Sequence, residues 1–237
     1  MESTSGNPLG PHTASLPARA PSRDIRLIGK HVTLIATTPE NSSDLFNDIG
    51  GSEHAHLWDY LPNGPYDTDD AFRQMLKERA ASVDPVYYTI LSNAQHGKAI
   101  GLCALMRIDL PNRVVEIGHL MYSPALQRTP AATEAMYLIA RYAFEDCGFR
   151  RYEWKTNSLN AASCRAALRL GFTFEGTFRQ HMIVKGRTRD TTWYSMLDSE
   201  WPCRKKALED WLSDDNFDEN GLQRRRLEDF RSKSSED

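Results

Sequence analysis

The chain has 237 residues, 40% of them hydrophobic and 26% charged, the balance of a soluble globular protein with one large domain and tails. A formal net charge of −3 provides no broad basic field, so nucleic acid is not an expected partner. The four cysteines (Cys103, Cys147, Cys164, Cys203) are scattered, which points to free thiols in a reducing compartment, the cytoplasm; no apolar run approaches the roughly 20 residues of a membrane span.

Residues 1–24 are rich in Pro, Ser and Ala and lack both periodicity and a signal-like apolar core, so disorder is expected there. The folded domain is expected over residues 25–200. A first strand is read over Arg26–Ile35, and a helix over Ser42–Ile49 with Ser42 or Ser43 as cap and Gly50-Gly51 as stop. His54 and His56 stand two apart, but no Cys, Asp or Glu at ligand spacing joins them, and they read as loop histidines without a metal. The aromatic loop of Trp58, Tyr60 and Tyr66 either covers one end of the core or walls a substrate pocket; both readings stay open. Asp69–Ala81 is a helix capped by Thr68. Val86–Leu91 and Ala99–Ile108 are strands that form an antiparallel meander with the first one. Their hydrophobic runs suggest a sheet buried on both faces.

Val114 to Ala143 organises the chain. It reads as a strand, a tight loop and a helix, with Thr129 as cap and Pro130 at the first helical position. A strand feeding straight into a helix leaves unpaired amides and the positive dipole end facing outward, a site shaped for an anion. Cys147-Gly148 stops that helix, and Arg150–Thr156 is a strand parallel to the first. Asn160 caps a helix over Ala161–Leu170 that Gly171 ends. Phe172–Phe178, His181–Lys185 and Thr191–Leu197 follow as strands around the Gly186 turn. The fold class is α/β, a mixed and mostly antiparallel sheet with one parallel pair in its middle. Residues 201–237 read as a charged extension, one short helix followed by a disordered tail in which acids balance Arg224–Arg226.

The strand VEIGHLMYSP, the loop QRTPAA and the strand RRYEWKT, with an NxxS sequence opening a helix that ends in LGF, resemble the GNAT acyltransferase superfamily over roughly Ile28 to Leu197. NSLNAASCRAALRLGFTFEG and GRTRDTTWYSML are similar to its RimJ/RimL-like branch. The resemblance implies a GNAT-like central sheet splayed at the acyl-CoA site and flanked by helices. It also implies direct attack of a primary amine on acetyl-CoA, the co-substrate, in a ternary complex without a metal. On the family pattern Met121, Tyr122, Gln127, Arg128, Thr129, Pro130, Ala131, Ala132 and Thr133 hold CoA, the loop amides cradling its pyrophosphate. Asn160 holds the pantetheine arm, and Ser163 both lies along it and protonates the leaving thiolate. Pro130 stands where the family has glycine; it removes one amide and forbids a positive φ. The oxyanion donor falls near Leu120 or Met121.

Glu116 is the candidate base, acting through water, with pairing to a neighbour such as Arg113 as the structural alternative. His119 has a suitable pKa class, but strand alternation does not put it on the Glu116 face by default. The branch carries a glutamate on the strand after the NxxS helix, where this chain has Met182 beside His181. For Asn160 and Ser163 the structural alternative is helix capping. The expected acceptor is a small-molecule amine, the alternative a peptide N-terminus of ribosomal-protein type, and a third reading is a CoA-binding module without catalysis. A closed pocket would favour the small acceptor and a shallow cleft the protein. A homodimer is one assembly open to the chain, and no membrane contact is expected.

Overall fold

The computed structural model describes residues 7–13 and 16–231. Its strands are β1 (Arg26–Ile28), β2 (Val32–Ala36), β3 (Val86–Ser92), β4 (Lys98–Asp109), β5 (Val114–Tyr122), β6 (Arg151–Asn157), β7 (Thr173–Val184) and β8 (Arg187–Leu197). They form one sheet in the order β1-β2-β3-β4-β5-β6-β8-β7, antiparallel throughout except for β5 and β6. The helices are α1 (Ser42–Ile49), α2 (Asp69–Ala81), α3 (Pro130–Arg141), α4 (Ala161–Leu170), α5 (Trp201–Leu212) and α6 (Leu227–Arg231). The α/β architecture with one parallel pair is the one expected. Among the described residues no helix is long and apolar enough to cross a membrane.

Alternation along the strands builds two cores. Val86, Tyr88, Val115, Ile117, Tyr152 and Trp154 point to one face, where α3 and α5 bury them. Leu91, Leu102 and Met121 point to the other, where α1 and α2 cover the β3–β4 half only. Burial on both faces therefore holds for β3, whose seven residues are all buried, and fails at β7, an edge strand with Phe174, Phe178 and Ile183 exposed. Among the described residues, the helix-covered cluster on the second face reaches no further across the sheet than Met121 of β5, which leaves a gap over β6 and β8. The candidate site lies along that gap.

Several local expectations change. The single first strand is two, β1 and β2, separated by a turn built around Glu134 of α3. This carboxylate is buried and accepts the amides of Lys30 (2.7 Å), His31 (2.6 Å) and Val32 (2.8 Å). A Cβ at Gly29 would stand 2.5 Å from it, which is why glycine sits there. Charge-assisted hydrogen bonds are the strong kind, and Val32 is fully buried. Glu134→Ala is expected to cost about 3 kcal/mol, since it strands buried donors. Urea unfolding that shows a loss under about 0.5 kcal/mol would contradict this role. The α1 cap is Asn41, without a side-chain bond, because Ser42 Oγ donates to Asp69 instead (2.8 Å).

The tails also differ from expectation. Residues 1–6, 14–15 and 232–237 lie outside the described residues, so part of both disorder expectations falls there. Residues 16–24, expected to be disordered, are pinned to the body: Ala18 donates to Leu110 (3.0 Å), Arg19 to Cys147 (2.8 Å) and Ser22 to the Tyr142 hydroxyl (2.7 Å). The segment after α5 is folded as well. Asn216 is buried and bonds the carbonyls of Trp211 and Arg225, Arg225 lies over the Phe230 ring at 4.0 Å, and Leu227 is 1% exposed. A few apolar anchors and one buried amide hold what composition alone reads as a solvated tail.

Candidate active site

β5 and β6 pair from Val114/Arg151 only as far as Ile117/Trp154, yet β5 runs on to Tyr122, and β6, held by β8, runs on to Asn157. The two strands therefore part after Ile117. A bulge in β5 coincides with the parting: Met121 faces Leu102 and Gly118 faces Ala104, so His119 and Leu120 together oppose Cys103. His119 adopts a positive φ of 49°. Ser123 donates its amide to Ile100 on the β4 side (3.0 Å). By strand alternation the Met121 amide faces β4 too, leaving the Leu120 amide on the side where β6 has gone.

The bulge also settles which way His119 faces. Leu120 packs into the α3–α5 core, while the His119 ring lies against Tyr87, on the Glu116 face, at 5.4 Å between centroids. The doubled residue resets the alternation, and Glu116 and His119 share a face after all. A second bulge, in β4, aims Arg107 at the same place. Asp84 accepts the amides of Arg107 (2.8 Å) and Ile108 (3.1 Å) and holds Arg107 at a φ of 51°.

Glu116 is 5% exposed. Its Oε2 lies 3.0 Å from Lys155 Nζ and 3.3 Å from Arg107 Nε, and Arg113, the neighbour expected from sequence, bonds Thr13 instead. Lys155 also meets Glu153 (2.7 Å), Glu153 accepts from Arg151 Nε (2.6 Å), and Arg151 reaches Glu175 (2.7 Å). Arg151, Glu153 and Lys155 share a face because β6 alternates with period two. Lys155 further stands 3.9 Å above the Trp193 ring. Burial pushes the Glu116 carboxyl above its ordinary value against the pull of Lys155 and Arg107. Burial, reinforced by Arg79, Arg107 and Arg189, holds His119 down at about 4.

That second shift has a stability consequence. The unfolded chain takes up a proton on this histidine near pH 6.5, while the folded chain resists until about 4. Folding free energy is therefore lost as pH falls through that window, with a ceiling of roughly 3 kcal/mol. His119→Asn is expected to flatten the acid limb of a stability-versus-pH curve. An unchanged limb would contradict the shift.

On the other side of the gap, Asn160 Oδ1 accepts the Ser163 amide (3.1 Å), so the capping reading of Asn160 is observed. Ser163 Oγ is not spent on capping. It accepts from the Trp154 indole (3.0 Å), at the last residue pair before the strands part, and its hydroxyl proton is left to donate. At the start of α3, Thr129 Oγ1 accepts the Ala132 amide (3.2 Å), and the amides of Arg128, Thr129 and Ala131 find no acceptor among the described residues. The left-handed residue of the loop is Arg128, φ 61°, so Pro130 keeps the φ it is built for. The Gln127 side chain donates to the Tyr122 carbonyl (3.0 Å) and fastens the loop to β5. Thr133 Oγ1 receives Arg169 (3.0 Å), and Met121 is core.

Trp58 is fully buried, bonds the Ile49 carbonyl (2.7 Å) and packs edge-on against Tyr66, so those two aromatics cover the core. Tyr60 does not. Its hydroxyl donates to Leu159 (3.2 Å), and Lys185 of the β7–β8 hairpin donates to the Trp58 carbonyl (2.8 Å). These two ties border a partly open cavity of about 380 Å³ lined by Asp59, Tyr60, Asn157, Lys185, Arg187 and Arg189, among others. Among the described residues no three His, Cys, Asp or Glu side chains are grouped to hold a metal ion. Sequence reading missed Lys155, Arg107, Arg79 and Arg189; only Lys155 left a signal, its alternation with Glu153.

Other chains share this fold. A structure from Brucella melitensis, described as a GCN5-related N-acetyltransferase, superposes with a TM-score of 0.88 at 42% identity, covering 92% of this chain and 98% of that one. A GNAT-family structure from Chromobacterium violaceum ATCC 12472 gives 0.73 at 37%, covering 83% and 99%. YdaF of Bacillus subtilis, provisionally named a ribosomal N-acetyltransferase, is 24% identical over 183 residues, covering 75% of this chain and 97% of that protein. Residues 31–173 match the model of the acetyltransferase (GNAT) domain. The family resemblance read from the strand, loop and NxxS helix therefore holds, and the chain belongs to the GNAT family of acetyltransferases.

Proposed function

We propose that the chain transfers an acetyl group from acetyl-CoA to the primary amine of a small molecule. The cavity at the Asn157 end of β6 carries this reading. Its volume lies in the range of small-ligand sites, and the Tyr60–Leu159 and Lys185–Trp58 ties fasten its walls to one another, so it is a shaped concavity of small-ligand size. The residues fit the co-substrate. The amides of Arg128, Thr129 and Ala131 suit its pyrophosphate, with Arg128 as a cation nearby, and the gap after Ile117 admits a narrow arm.

In this reading the acceptor nitrogen loses its proton, through water, to Glu116. Burial favours the protonated form of Glu116, whereas burial, with Arg79, Arg107 and Arg189 adding to it, keeps a proton off the His119 imidazole. The neutral amine attacks the thioester carbonyl, and the Leu120 amide receives the negative oxygen. As the carbon–sulfur bond breaks, Ser163 gives its proton to the thiolate, and the proton still on the acylated nitrogen passes through water to the serine oxygen, which the Trp154 indole N–H steadies meanwhile. A second reading, acetylation of a protein N-terminus, draws on YdaF's name. A panel of small amines and N-terminal peptides, followed by thiol release from acetyl-CoA, separates the two. Small amines are expected to turn over. Release with peptides alone would replace the small-molecule reading, and no release from a chain that still binds CoA would end both.

A further inference from the structure

We propose that the acceptor amine also carries an anionic group, a carboxylate or a phosphate, and that Arg187 and Arg189 hold it. This rests on the acetyl-transfer reading above and names the substrate class of that site. Lys185, Arg187 and Arg189 line the cavity against one carboxylate, Asp59. Lys185 is spent on the Trp58 carbonyl. Arg187 and Arg189 have no carboxylate within ion-pair distance among the described residues, and Arg189 bonds only the Thr191 hydroxyl (3.2 Å).

The surroundings point the same way. Arg107, Arg151 and Lys155 on this face each have an acid partner. Arg79 of α2 has none among the described residues. It is 7% exposed and lies over Tyr87 at 4.9 Å with Trp58 at 6.0 Å. Arg79, Arg107 and Arg189 all act on His119, and Arg189 also senses Glu116, so the inner end of the cavity and the proposed base belong to one electropositive space. Arg189 is half-buried without a counter-charge, which costs part of its hydration, Arg187 stands exposed at the cavity wall, and the fork of donors on each matches a planar carboxylate or a phosphate. An acceptor that brings its own anion relieves that cost and turns its amine toward Glu116.

Matched amines that differ only in the anion test this: an α-amino acid against its carboxamide, and phosphoethanolamine against ethanolamine. Each is assayed by thiol release at saturating acetyl-CoA, and by calorimetric titration onto the full chain with CoA bound. The anionic member of at least one pair is expected to have a kcat/KM about tenfold to a hundredfold higher. The pair that shows it tells carboxylate from phosphate. Arg187→Gln with Arg189→Gln is expected to erase the preference by raising the acceptor KM while the acetyl-CoA KM holds, and Arg189→Lys to keep part of it. Neutral members used or bound equally well, or variants that raise the acetyl-CoA KM instead, would overturn the anion site. Anionic members that bind without turnover would leave the site standing and end the transfer reading.

Discussion

Glu116→Gln is expected to lower kcat by about a hundredfold to ten-thousandfold, the range general-base catalysis supplies. Glutamine fills the same space and still offers an oxygen to Lys155 and Arg107, 3.0 and 3.3 Å away in the native site, so the β5–β6 face stays assembled. What it cannot do is take a proton. The pH profile gives the sharper result. A base works only when deprotonated, and burial raises the Glu116 pKa, so native kcat/KM falls as pH drops through that raised value. In the glutamine variant this acid limb disappears. A variant within about threefold of the native rate, with the limb intact, would remove Glu116 from the chemistry and leave the ion pairs as its whole purpose.

Ser163→Ala tests the opposite end of the reaction. The serine oxygen accepts from the Trp154 indole at 3.0 Å and is not part of the helix cap, so its loss leaves α4 capped by Asn160. Turnover is expected to fall about a hundredfold or more, with CoA affinity kept within about threefold, because only the proton delivered to the leaving thiolate is missing. A more acidic thiol makes a better leaving group, so a thioester of such a thiol should recover much of the lost rate. An unchanged rate would return Ser163 to the role of a first-turn residue. Weaker CoA binding with normal kcat would make it a binding residue.

Most element positions were legible along the chain. The α2 span, the α3 start at Thr129-Pro130, the α4 start at Asn160 and the parallel β5–β6 pair follow from period, caps and the right-handed crossover. These are local, and each depends on a few neighbouring residues. Misreadings came where a distant group intervened. Glu134 bends Arg26–Ala36 into two strands from about a hundred positions away. Asn216, Leu227 and the Tyr142 hydroxyl order segments whose composition resembles solvated tails.

The amino-acid sequence by itself determined most of the order of strands and helices, whose periods and caps are local, and its motifs carried the family resemblance from which the two ends of the proposed chemistry, Glu116 and Ser163, follow. Only the tertiary structure decided which groups surround them. Lys155 and Arg107 meet Glu116 from β6 and β4, and bulges turn His119 and Arg107 onto its face. The 58–60 loop and the β7–β8 hairpin line a cavity whose arginines come from one end of the sheet. A bulge adds one residue without changing the hydrophobic pattern, and an ion pair across three strands has no spacing in sequence. Register and packing are what bring such charges together.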